Sequence, residues 1–444
     1  MKLRLAGAQV VTMDAKRRVV EGDVVVEDGK IEAVTGGVGR GRAGSAKVID
    51  CSGLVIIPGL IQAHVHLCQT LFRGLADDLP LETWLAKRIW PLEAAHTEES
   101  VYWSAMLGAA ELLLGGTTAI LDMETVRHTG AAFEALEAIG LRATAGKCLM
   151  DAPSAPKELK EPTERALQEA TDLCAKWHGA AHGRLRWCYA PRFVPSCTGP
   201  LLRAVSDLAE RSGAMIHTHA AETPLELETV KRETGHDEIA YLDSVGISGP
   251  RAALAHCVWV DKDDIAVLAR QHTNIVHCPS SNLKLGSGIA PIPEMLAAGC
   301  RVGIGADGAP CNNRLDAFSE MRLAALIQKP RLGPDALPAA QALELATLGG
   351  ARALGLEADI GSIEVGKRAD LIVLDLDGPH AQPDNADLIS RIVYSARAAD
   401  VRHVIVDGRI VVRDGDLKTA DVGAVRRQAN THARALRAKA LNRL

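Results

Sequence analysis

Between Gly59 and about Gly355 the chain alternates short apolar runs with amphipathic stretches, and this alternation constrains its fold more than any other feature. The apolar runs cover 118–123, 142–147, 185–190, 214–218, 252–256, 274–277 and 301–306. Helical patterns at 102–114, 200–211 and 265–270 sit between them. Such alternation predicts parallel strands joined by crossover helices. Roughly eight units suit an α/β fold of the (β/α)8 type, a TIM barrel with functional groups at the strand C-termini. An open doubly wound sheet is the other arrangement that the pattern allows.

The two ends read differently. Runs at 8–13, 23–27, 31–34, 48–51 and 54–57 are β-branched and separated by turn signals such as Asp28-Gly29. Runs at 370–376, 401–406 and 409–412 answer them, with Asp407-Gly408 as a turn. Neither end is large enough to bury a core alone. They are therefore expected to combine into a small β-sandwich beside a distorted barrel. The expected division is 1–58 for the N-terminal part of the sandwich, 59–360 for the barrel, and 361–444 for the rest of the sandwich plus a C-terminal helix. That helix, Arg- and Ala-rich after Asp421, is read as solvated or at an interface.

Composition narrows the function classes. Hydrophobic residues are 47% and aromatics 3%, so Ala, Val, Leu and Ile fill the core. A formal charge of -5 argues against a broadly basic nucleic-acid surface, and few aromatics leave little for a base-stacking platform. No apolar stretch reaches the ~20 residues that span a bilayer. The start lacks the pattern of a secretory leader, so a cytoplasmic protein is expected. Its 10 cysteines are scattered and read as reduced thiols. Gly39, Gly41 and Gly44 fit GxGxxG, but a strand-like Val48-Ile49-Asp50 follows where a dinucleotide site needs a helix. They are read as a loop. P-loop, HExxH and HxE…PCxxC patterns are absent.

The chemically informative residues sit at apolar strand ends. His64-Val65-His66 closes one run, and residues i and i+2 of a strand share a face, so both imidazoles can reach one ion. His219 ends another run and carries Glu222 three positions on. Asp307 follows Val302-Gly303-Ile304-Gly305-Ala306. Three neutral imidazoles and a carboxylate suit Zn2+ or Fe2+.

PGLIQAHVHL, IHTHAAE, ALAHC, HCPSSNLKLGSGIAP and GIGADGAPCNN resemble the amidohydrolase superfamily, in its aminoheterocycle deaminase branch. The resemblance covers nearly the whole chain, including the split β domain. It implies that His64, His66, His219 and Asp307 hold one metal per chain, zinc first, with Fe2+ or Mn2+ as substitutes. A bound metal lowers the pKa of water, and water then adds to the C–N carbon of an aminated ring. Glu222 suits the proton shuttle to the leaving amine. Asp307 can accept a proton, and His256 can polarise the water or stabilise the addition intermediate. His217 lacks the HxxE relation to Glu222 and is set aside, as is His277. A catalytically silent scaffold on the same barrel is the non-enzyme alternative; it predicts missing ligands or a missing shuttle, and all are present.

The substrate side is read from a closer resemblance. Leu71-Phe72-Arg73-Gly74, Trp84-Leu85, Pro91-Leu92-Glu93 and the stretch 320–329 resemble deaminases of methylthioadenosine, S-adenosylhomocysteine and 5'-deoxyadenosine. The resemblance implies that Glu93 accepts bonds from ribose hydroxyls and that Trp84 packs on the substrate. Gln69 and Arg192 instead resemble guanine deaminase, where such residues read the purine edge. Lys147 matches a family Arg at a strand end. The expected substrate is a 5'-modified adenosine, with guanine or 8-oxoguanine and a triazine or pterin as alternatives. Nucleic acid and membrane are not expected partners, and a homo-oligomer of two or four chains is.

Overall fold

In the computed structural model, which describes residues 2–36 and 46–441, the N-terminal arm forms five strands. They are β1 (Lys2–Val11), β2 (Val19–Glu27), β3 (Lys30–Gly36), β4 (Lys47–Asp50) and β5 (Val55–Pro58). β1 starts ahead of the expected position 8, because Leu3 and Leu5 bury on one face while Lys2 and Arg4 alternate with them and stay half-buried. Asp28 and Gly29, at φ 49° and 83°, make the two-residue turn that joins β2 to β3. The glycines 39, 41 and 44 lie outside the described residues.

The central segment supplies β6 (Leu60–His66), β7 (Thr117–Met123), β8 (Arg142–Gly146), β9 (Cys148–Leu149), β10 (Leu185–Pro191), β11 (Met215–Ala220), β12 (Ala252–His256), β13 (Asn274–His277), β14 (Arg301–Ile304) and β15 (Asp307–Gly308). Their pairings are all parallel. β14 pairs with β13, and β15 pairs with β6 through Asp307↔Val65 and Gly308↔His66. The ring therefore closes through a strand interrupted at Gly305-Ala306. Glycine is required there: a Cβ on Gly305 would lie 2.6 Å from the His64 carbonyl oxygen. β6 and β7 are buried along their whole length, as parallel strands covered on both faces are. The helix Glu98–Leu114 covers the outside; Thr97 caps it by accepting from Ser100 N, and Val101, Ala105, Ala109 and Leu112 face the barrel.

The C-terminal arm adds β16 (Leu371–Leu374), β17 (Val401–Val406), β18 (Arg409–Arg413) and β19 (Asp416–Leu417). β16 pairs antiparallel with β5, so both arms share one nine-stranded sheet. The two arms thus combine into one small β domain, as expected. Its own core mixes the arms: Leu5, Val10, Val24 and Ile56 cluster with Leu371 and Ile405. A buried ion pair, Arg142 to Asp370 at 2.6 and 2.9 Å, ties the barrel to this sheet. The C-terminal helix Val422–Leu441 is neither free nor wholly solvated. It lies on the helix Glu98–Leu114. Its Ala429, Leu436 and Ala440 join a cluster with Phe72, Trp84 and Leu92. Among the described residues no helix is long and apolar enough to cross a membrane.

Candidate metal and active site

The barrel brings His64, His66, His219 and Asp307 together at the C-terminal ends of their strands. Nitrogens of His64, His66 and His219 lie within 4.8 Å of one another. Asp307 Oδ1 is 3.4 Å from His64 Nε2 and 3.3 Å from His66 Nε2. Burial lowers the pKa of all three histidines, that of His66 to about 4, so each is neutral at pH 7. Burial opposes the charge of Asp307, yet the flanking imidazoles of His64, His66 and His256 hold its pKa well below the usual carboxylate range.

The outer nitrogens decide what this group can bind. His66 Nδ1 donates to the Met123 carbonyl at 2.7 Å, and His219 Nδ1 donates to the Arg192 carbonyl at 2.6 Å. His217 Nδ1 donates to the Ala253 carbonyl at 3.0 Å, which leaves its Nε2 to accept from His64 Nδ1 at 2.7 Å. All three candidate ligands therefore turn an Nε2 lone pair inward. The lone pairs of His66 and His219 face each other at 3.2 Å, a repulsive contact unless a cation sits beside them. His64 Nε2 is buried with no hydrogen-bond partner. A divalent cation fits this donor set.

Glu222 and His256 stand next to it. His256 Nδ1 donates to Asn282 Oδ1 at 2.8 Å, so Nε2 points to Glu222, 3.6 Å from its Oε2. Burial raises the pKa of Glu222 against the pull of His256, and Ser287 donates to its Oε1 at 3.1 Å. Burial opposes the His256 imidazolium, but Glu222 and Asp307 outweigh it and raise the pKa. Ala221, His256, Cys257 and Asp307 all take positive φ (51°, 74°, 45° and 65°), a cluster of strained non-glycine residues at one spot.

These groups open into a cavity of about 350 Å³. Its inner end carries His66, His219, Glu222, His256 and Asp307, with Gln69 and Arg192 beside them. Trp84 lines the cavity and also belongs to the apolar cluster beneath it. Glu93 does not line it. Its carboxylate lies behind the wall, 2.6 Å from Arg192 Nη1 and 2.9 Å from Gln69 Nε2. Lys147 does not line it either. Its ammonium is buried against Glu161 at 2.8 Å and Glu169 at 3.0 Å and donates to the Val126 carbonyl. An unpaired buried ammonium would be costly, which explains the two carboxylates.

Four contributors were not foreseen. His217 orients His64, although its own motif set it aside. Asp122 Oδ1 accepts from Leu67 N at 3.0 Å, pinning the chain just after His66. Glu226 and Glu238 accept from the backbone N–H groups of Glu222 (2.7 Å) and Ala221 (3.0 Å) and fix the turn that aims Glu222. An Asp inside the buried run 118–123 and a Glu four residues after Glu222 were the available signals. Neither reveals its backbone partner.

Residues 55–411 match the amidohydrolase family, and the chain belongs to it. The 5-methylthioadenosine/S-adenosylhomocysteine deaminase of Desulforudis audaxviator is 42% identical over 439 residues, covering 98% of this chain and 99% of that one. The 5'-deoxyadenosine deaminase of Methanosarcina acetivorans is 41% identical over 438 residues, covering 98% of each. Among solved structures, an adenosine deaminase from Xanthomonas campestris with bound zinc superposes with a TM-score of 0.92 at 32% identity, covering 98% of each chain.

Proposed function

We propose that this protein is a zinc-dependent hydrolytic deaminase that converts a 5'-modified adenosine to the inosine analogue and ammonia. The observation that carries the reading is the set of inward Nε2 lone pairs beside a Glu222–His256 pair at the end of one cavity. Full-length similarity to deaminases named for methylthioadenosine, S-adenosylhomocysteine and 5'-deoxyadenosine supports the substrate class.

Zinc held by His64, His66, His219 and Asp307 supplies Lewis acidity that brings the pKa of a water near neutrality. Asp307 receives the proton of the attacking water. Glu222, whose raised pKa suits a group that both takes and gives a proton, protonates the ring nitrogen, takes the hydroxyl proton of the addition intermediate and passes it to the departing amine, and the proton held by Asp307 then restores Glu222. His256 donates from Nε2 toward the oxygen that develops charge. Arg192 offers guanidinium donors to ring nitrogens, while Gln69 can donate or accept. Trp84 packs against the purine or ribose.

A second reading, a free purine base of the guanine type, is favoured by one observation: Gln69 and Arg192 line the cavity and Glu93 does not. One panel separates the two. Ammonia release is measured from 5'-deoxyadenosine, methylthioadenosine, S-adenosylhomocysteine, adenosine, guanine, 8-oxoguanine and isoxanthopterin, with chloride release from a chlorotriazine. Turnover of adenosines is expected; turnover of guanine with none of the adenosines overturns the choice. We also read the chain as a cytoplasmic homo-oligomer of two or four copies, which light scattering and cell fractionation test.

A further inference from the structure

An adenosine that presents its amino carbon to the inner end of the cavity must direct its ribose and 5' substituent to the outer wall. Leu81, Leu85, Trp90, Phe193, Pro195 and Leu225 supply the apolar part of that wall, and Thr223 and Thr229 its hydroxyls. Arg192 is the only lysine or arginine lining the cavity among the described residues. Its charge is already met by Glu93 at 2.6 and 3.2 Å. Lys147, the other nearby cation expected from the sequence, is held by Glu161 and Glu169 away from the cavity.

The charged groups of the outer wall are two carboxylates. Glu226 is committed to the backbone N–H of Glu222. Glu82 is exposed at the rim, where its Oε1 accepts from the Thr223 hydroxyl at 3.2 Å. An anionic 5' group would shed water against a largely apolar wall, meet no lysine or arginine in the lining but the paired Arg192, and face Glu82. An amino-acid tail could place its ammonium near Glu82, but its carboxylate would meet no unpaired lysine or arginine in the lining. An uncharged methyl or methylthio group brings no charge to Glu82 and gains from covering the apolar side chains of the wall.

We propose that the site selects adenosines whose 5' carbon carries a small uncharged substituent, and excludes 5'-phosphates and amino-acid-bearing thioethers. This rests on the adenosine-deaminase reading above and narrows it.

The test is kcat/KM for ammonia release from 5'-deoxyadenosine, methylthioadenosine, S-adenosylhomocysteine and adenosine 5'-phosphate, in the zinc-loaded protein and in Glu82→Lys. The two uncharged substrates should exceed both charged ones by about thirtyfold or more, a difference of roughly 2 kcal/mol. Glu82→Lys, an exposed change that leaves packing intact, should narrow the gap to the phosphate by about tenfold. A wild-type gap under about tenfold, or a gap that Glu82→Lys leaves unchanged, overturns the selection while the deaminase reading stands. Absence of ammonia from all four substrates overturns the deaminase reading, and the selection with it.

Discussion

Arg192 and Glu93 form a two-point ion pair behind the cavity wall, Nη1 to Oε2 at 2.6 Å and Nη2 to Oε1 at 3.2 Å. The Arg192 carbonyl also accepts from His219 Nδ1, so one residue joins the substrate wall to a candidate metal ligand. Two-point pairing fixes the guanidinium plane, which a lysine at this position could not reproduce.

Removing Glu93 should therefore act through Arg192. Glu93→Ala leaves a buried guanidinium unpaired and is expected to cost about 3–5 kcal/mol, read as a drop in Tm. KM should rise for nucleosides and free bases alike. A KM rise confined to nucleosides would show instead that Glu93 touches the ribose.

His217 should matter for metal retention although it donates nothing to the metal. Without it, His64 Nδ1 loses its acceptor and the Nε2 lone pair is no longer fixed inward. His217→Phe should weaken zinc affinity by about 10–100-fold, measured by competition with a chelator. Unchanged affinity would make His217 a packing residue.

Glu222→Gln should keep zinc and lose turnover by about 10²–10⁴-fold, because proton transfer is the missing step. Elemental analysis and ammonia release on the same sample check both halves. Loss of zinc together with activity would move Glu222 into the metal site.

Much of this site was legible in the sequence because it depends on local periods. His64 and His66 follow the two-residue repeat of a strand, and His219, His256 and Asp307 each end an apolar run. The rest depends on partners distant in sequence. His217 meets His64 across 153 positions and Glu93 meets Arg192 across 99, and no spacing rule connects them. Lys147 and Glu93 were expected at the substrate because exposed charges and buried, paired charges look the same in a sequence. The barrel was visible from alternation, but the break at Gly305-Ala306 was not, since the run from Arg301 to Ala306 is apolar throughout except at its first residue.

Glu320 offers a pH test of stability. It is buried on the helix Ala317–Ile327, accepts from Ser280 N at 3.1 Å, and burial pushes its pKa up to about 8. The folded pKa lies above the unfolded value of 4.5, so the folded state binds the extra proton. This contribution to stability is full below pH 4.5 and is lost as pH rises toward 8. Glu320→Gln cannot ionise, so its Tm relative to the parent protein should climb across that window. A difference that does not change with pH would show that Glu320 is not protonated in the folded protein.

If bound zinc and this ring of residues together deaminate an adenosine, activity must follow the metal. The most direct measurement strips the protein of metal, returns zinc in steps, and follows ammonia and the inosine analogue formed from 5'-deoxyadenosine. The stripped protein should be silent, and activity should rise with zinc to a plateau at one ion per chain. Full activity in the stripped protein, or a zinc-loaded protein that releases no ammonia from any adenosine, would contradict it.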